Sequence, residues 1–86
     1  MEDHITRIKR LRLRSWRRGT KEMDLILGKF ADEHLAHLSE EELDAHEALM
    51  GEADQDLYQW ISGQVETPEK FKQAIEVILQ KIGPST

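Results

Sequence analysis

TPEKFKQAIEVILQKIGP, residues 67–84, is the stretch that decides the fold. Phe71, Ala74, Ile75, Ile78, Leu79 and Ile82 recur at intervals of three and four, the period of one face of an α-helix. Thr67 is placed as the N-cap and Pro68 at the first helical position, where its missing N–H costs nothing. Gly83-Pro84 marks the stop. Pro84 to Thr86 is expected to be a frayed tail.

The same period runs back toward the N-terminus, with a breaker between segments. About Ala53 to Ser62 forms a short helix with Leu57, Trp60 and Ile61 inward, ended by Gly63. Ser39 followed by Glu42 is a capping box, S-x-x-E. It opens a helix ended by Gly51 whose apolar positions are Leu43, Leu49 and Met50, a thin buried face. From about Lys21 to Leu38, one stripe holds Met23, Ile26, Leu27, Phe30, His34, Leu35 and Leu38. Leu25 falls off it and is expected to be exposed. Thr20 is the N-cap of this segment, and Glu22 lies in the first turn, where the helix dipole favours a carboxylate. The first segment, about Asp3 to Trp16, sets Ile5, Ile8, Leu11 and Ser15–Trp16 on one face against arginines on the other. No segment alternates apolar and polar residues over a useful length, so no strand is expected. The reading is all-α: a compact bundle of five short helices forming a single domain over residues 1–86.

Composition sets the limits on function. A chain of 86 residues buries roughly 60–65% of its unfolded surface, enough for one modest core. Cysteine is absent, which excludes disulfides, thiol chemistry and Cys-based zinc sites. No apolar run approaches the roughly 20 residues that span a bilayer, so no membrane insertion is expected. The lead-in is Arg-rich like a mitochondrial transit peptide, but Glu2 and Asp3 stand at its start and it runs straight into apolar helical spacing. It is read as part of the fold, and the protein as cytoplasmic. Residues 1–22 carry eight basic side chains against three acids, and residues 23–86 four against fourteen. Either the two ends pair across the fold or the basic end faces an acidic partner, and both can hold at once.

Few constellations suggest chemistry. His34 and His37 are three apart on one helix, and His46 and Glu47 follow on the next. There is no H-E-x-x-H motif, and a histidine on an apolar stripe is more often a satisfied core residue than a ligand, so no metal is expected. No hydroxyl has an obvious base partner and no glycine-rich phosphate loop is present, so no catalytic residue is assigned and an enzyme is not expected. An Arg-rich helix ending in Trp16 could neutralise phosphates and stack on a base, giving a nucleic-acid-binding or antitoxin-like module as the alternative. Against it stand an acidic whole, with pI near 5.3, and the apolar Ile5, Ile8 and Leu11 face of the same helix. In Arg17-Arg18-Gly19-Thr20-Lys21-Glu22-Met23-Asp24, two arginines end one helix, a glycine turns the chain and two acids lie in the next first turn. The bland account is a turn with a solvated ion pair worth at most about 1 kcal/mol. The sharper one is a docking knuckle, in which glycine admits partner backbone and arginine offers a planar fork.

Arg18-Gly19-x-x-Glu22 resembles the R-G-x-x-E signature of the succinate dehydrogenase assembly factor family, the SdhE-like flavinylation factors. Glu22-Met23-Asp24 is close to the family's E-L-D, and Asp54-Gln55-Asp56-Leu57-Tyr58-Gln59-Trp60 is similar to its D-x-D-L-[YF]-x-W. Thr20 and Met23 depart from the residues common there, Met and Leu. The resemblance runs from about Ile5 to Ile82 and implies a five-helix binding protein. It implies a partner, the flavoprotein subunit of succinate dehydrogenase, and in some members that of fumarate reductase. It implies promotion of a covalent bond between a partner histidine and the 8α-methyl of FAD, with no cofactor held by the factor itself. Arg17, Arg18, Gly19, Lys21, Glu22 and Asp24 are then the candidate partner-binding residues. Among them Arg18 and Glu22 are placed at the interface centre, Gly19 permits close approach, and Arg17 and Lys21 steer. Asp54 and Tyr58 are secondary surface candidates, although helix capping is the favoured role for Asp54 and Asp56.

Overall fold

The computed structural model describes residues 2–82, and among them there is no strand. Helix α1 is His4–Trp16. Helix α2 is continuous but not uniform: α-helical Lys21–Met23, a π-helical turn Asp24–Gly28, α-helical Lys29–His34 and a closing 3₁₀ turn Leu35–His37. Helix α3 is Glu40–Leu49 and α4 is Asp54–Ser62. Helix α5 enters through a 3₁₀ turn, Glu69–Phe71, and continues as Lys72–Ile82. The expected all-α bundle of five short helices is the observed architecture.

Local chemistry accounts for the helix starts. The Asp3 carboxylate accepts from the Thr6 amide at 2.7 Å, and Thr20 Oγ1 accepts from the Met23 amide at 3.2 Å. Ser39 and Glu42 form the reciprocal capping box, Glu42 N–H to Ser39 Oγ at 3.1 Å and Ser39 N–H to Glu42 Oε1 at 2.9 Å. Gly63 closes α4 with a φ of +83°, a left-handed conformation that glycine adopts without steric cost. At α5 the expectation is corrected. Pro68, with extended ψ of 146°, takes the cap position without a side-chain bond, and the helix begins at Glu69 as a 3₁₀ turn. The expected Gly83-Pro84 stop and frayed tail lie outside the described residues.

Leu11, Leu27, Phe30, Leu35, Leu43, Leu49, Leu57 and Ile78 are fully buried and form the centre of one core. Helix α1 packs along the π-helical turn and second half of α2, and α3 and α4 pack on α5. Trp60 of α4 stacks on Phe71 of α5 with ring centroids 5.4 Å apart. Several expected core positions are exposed, Trp16 among them. Ile5 is 68% exposed, within the stretch Glu2–Thr6 whose residues are all at the surface. Leu79 and Ile82 are likewise exposed, on a last turn of α5 whose residues 79–82 are all at the surface. Leu25 is exposed, as its place off the stripe predicts.

The thin face of α3 is completed by His46, which is only 2% exposed. Its ring lies 5.5 Å from that of Phe30, and its Nε2 is 3.1 Å from Ser15 Oγ. The Ser15 hydroxyl lies 2.8 Å from the Leu11 carbonyl. With its single proton directed there, the Nε2–H of a neutral His46 donates to Ser15 Oγ. Burial, reinforced by the charges of Arg18 and Arg14, pushes the His46 pKa down to about 4.

Candidate partner-binding site

The chain between α1 and α2 is short, and side chains from α2 and α4 hold it. Two consecutive backbone amides are bound by carboxylates: Arg18 N–H by Asp24 Oδ1 at 2.8 Å, and Gly19 N–H by Asp54 Oδ2. The Arg18 guanidinium turns into the fold rather than out of it. Its Nε donates to Asp54 Oδ1 at 2.6 Å, its Nη1 to the Met50 carbonyl at 3.0 Å and its Nη2 to the Glu52 carbonyl at 2.8 Å. Its side chain is 10% exposed and that of Asp54 is 20% exposed. Asp54 is the first residue of α4 and makes no capping bond to that helix, whose N-cap is Ala53. The favoured capping role is therefore corrected for Asp54: its two oxygens reach across to Arg18 and Gly19. Asp56 stays exposed in the same first turn, where its charge suits the helix dipole.

Beside this turn lies a groove of about 320 Å³ lined by Thr20, Glu22, Met23, Asp54, Gln55 and Tyr58. The start of α2 forms one wall and the start of α4 the other. Met23 is buried, while Glu22 and Tyr58 are exposed. Residues of the two sequence motifs, more than thirty positions apart in the chain, thus share one surface. Glu22 has no ion-pair partner among the described residues, and neither have Arg17 and Lys21, which are exposed nearby in sequence. Asp24 is not part of the groove lining; it serves the turn from within. Gln55 and Thr20 line the groove but were not candidate site residues. Gln55 stands three positions before Tyr58 on the same helix, the spacing that could have revealed it.

The remaining arginines of α1 are largely engaged inside the molecule. Arg7 reaches Asp44 at 2.6 Å, Glu47 at 3.1 Å and Glu40 at 3.5 Å on α3. Arg10 holds Glu47 at 3.1 Å and Glu2 at 2.8 Å, and Arg12 holds Asp32 at 3.1 Å. Arg10, and with it Arg7, keeps the Glu47 carboxyl below the usual range, against the opposing effect of burial. The pairing of the two ends of the chain is thus realised for Arg7, Arg10, Arg12 and Arg18. Of the histidines, His34 is half-buried, His37 is exposed and His46 is in the core. No group of three or more His, Cys, Asp or Glu among the described residues is arranged to hold a metal ion. A second depression, of about 370 Å³, lies between Leu25, Ile26, Lys29 and Glu33 of α2 and Lys81 and Ile82 of α5. It contains none of the sequence-derived candidates.

Residues 9–82 match the family model described as flavinator of succinate dehydrogenase. The chain belongs to this family. Its flavinator-family relatives include proteins named succinate dehydrogenase assembly factor 2, mitochondrial, from several eukaryotes. The Candida glabrata protein is 42% identical over 76 residues, covering 85% of this chain and 48% of the relative. That of Meyerozyma guilliermondii is 37% identical over 84 residues, covering 93% and 62%, and that of Dictyostelium discoideum 35% identical over 72 residues, covering 84% and 51%. The chain spans about half the length of the curated relatives it matches. No helix among the described residues is long and apolar enough to cross a membrane.

Proposed function

We propose that this member of the flavinator family is an assembly factor without catalytic residues of its own, which binds the flavoprotein subunit of succinate dehydrogenase and promotes covalent attachment of FAD to a histidine of that subunit. Family membership supports the pathway. The observation that supports the site is the meeting of Thr20 and Glu22 with Tyr58 and Gln55 around one groove, beside the Gly19 turn. A depression of about 320 Å³ suits one or two partner side chains and is small for a dinucleotide. The FAD in this reading therefore stays with the partner, and the factor holds no cofactor. The fumarate reductase flavoprotein is a second client by the same reasoning.

In this mechanism the factor supplies geometry. Glu22 is the open acceptor at the interface, Gly19 admits partner backbone, and Arg17 and Lys21 add attraction to an acidic surface. Bound in this way, the flavoprotein keeps histidine and flavin carbon near attack distance, a contribution that can reach several kcal/mol of barrier. Preference for the immature conformation over the mature one then accounts for release. A cytoplasmic location belongs to the same reading. The relatives are named as mitochondrial, and fractionation of expressing cells separates the two.

The test is covalent flavin on the flavoprotein subunit, read as in-gel fluorescence after denaturation. Cells would carry the wild-type chain, Glu22→Ala or no copy. Loss of covalent flavin without the protein, not restored by a folded Glu22→Ala, is the expected result. Equal flavinylation in all three would overturn the reading.

A further inference from the structure

The signature arginine and the first aspartate of the downstream motif do not both stand where a partner reads them. Arg18 has three donors engaged within the chain, on Asp54, Met50 and Glu52, and a side chain only 10% exposed. Asp54 uses one oxygen for Arg18 and the other for the Gly19 amide. We infer that Arg18 and Asp54 are a positioning pair: anchored to the loop between α3 and α4, they set the Gly19 backbone and the entry of α2, so that Glu22 stands open beside Tyr58 and Gln55. The inference rests on the groove being the flavoprotein-binding surface.

The geometry supplies the reason. Bound carbonyls and a charge-assisted amide bond fix a turn that a free chain samples broadly, and an interface whose turn is already set loses less entropy on docking. The guanidinium suits the task because its planar fork reaches a carboxylate and two carbonyls at once, which an ammonium on a flexible stem does not reproduce. Gly19 serves the same clamp. A Cβ there would lie 3.2 Å from Asp54 Oδ2, so any side chain presses on the carboxylate that holds the turn. Glycine is then required by the clamp as well as by the approach of a partner.

The test is a double-mutant cycle on binding. Wild type, Arg18→Ala, Asp54→Ala, the double variant and Glu22→Ala would be titrated with the purified flavoprotein subunit, at a temperature where circular dichroism shows each one helical. The Gly19 amide resonance reports the turn separately. Arg18→Ala and Asp54→Ala should each weaken binding roughly tenfold, and the double variant no more than either. Asp54→Ala should also move the Gly19 resonance, while Glu22→Ala weakens binding without moving it. Should Asp54→Ala fail to fold, Asp54→Asn replaces it in the cycle: its one oxygen can keep the Gly19 amide but its NH2 then faces Arg18 Nε, so it should still weaken binding, with the Arg18→Ala double variant no weaker than either single. Additive losses would mean that Arg18 is read directly, and would overturn the inference. Loss of binding in Glu22→Ala with none in Asp54→Ala would also overturn it and leave the groove reading intact. Unchanged binding in both would remove the groove reading and the inference together.

Discussion

Gly28 sits inside α2, and the local sequence gives no hint of its use. The Trp16 indole lies across it, with Nε1 donating to Asp32 Oδ1 at 3.1 Å. A Cβ at position 28 would overlap the indole carbons Cδ2, Cε2 and Cε3. Gly28→Ala should therefore destabilise by about 1–3 kcal/mol through overpacking, although alanine is the better helix former by roughly 1 kcal/mol. Thermal unfolding followed by Trp fluorescence checks this, and an unchanged or raised midpoint would refute it. His46 allows a second prediction at the same scale. Its folded pKa of about 4 lies below its ordinary 6.5, so the unfolded chain binds the proton first as pH falls. The stability that neutral His46 contributes is complete above pH 6.5 and is lost progressively down to about pH 4. The loss amounts to about 3 kcal/mol. Urea unfolding between pH 7.5 and 5 should show that slope in wild type and lose it in His46→Leu. A slope that survives the substitution would place the titration elsewhere.

At the scale of the element, the caps and breakers of the sequence map directly onto helix ends. Ser39 and Glu42 form the expected box, Thr20 caps α2 and Gly63 ends α4. These were legible because a cap is a bond between residues two or three apart. Ser39→Ala should cost about 1 kcal/mol and leave the fold intact, measured as a lowered urea midpoint with an unchanged m-value. No loss would mean that α3 is held by its tertiary contacts alone. The π-helical turn Asp24–Gly28 was not legible. The turn packs against α1, where Trp16 lies across Gly28, a contact between helices that no local pattern announces. The ionic seam between α1 and α3 belongs to this scale too. Arg7→Ala, which leaves Asp44 and Glu47 without that partner, should destabilise by about 1–2 kcal/mol, whereas Lys9→Ala, on an exposed residue, should stay within about 0.5 kcal/mol. Equal effects in thermal melts would remove the seam from the account of stability.

For the molecule as a whole, the charge asymmetry of the chain becomes a set of internal ion pairs. Arg7, Arg10, Arg12 and Arg18 face acids brought to them by folding. A nucleic-acid surface would need those cations outward and unpaired. No retardation of short DNA or RNA is therefore expected at physiological salt in a mobility-shift assay, and a salt-sensitive shift lost in Arg7→Ala would restore the rival reading. The sequence by itself determined the helix number, the all-α class, most helix boundaries and the two motifs that point to the family, because periodicity and capping act within a few residues of the chain. Tertiary structure alone decided that Ile5, Leu79 and Ile82 lie outside the core while His46 lies inside it. It also decided that Arg18 turns inward onto Asp54 and that Glu22 meets Tyr58 and Gln55 in one groove. Burial and ion pairing depend on which distant element arrives opposite a side chain, and no local pattern carries that information.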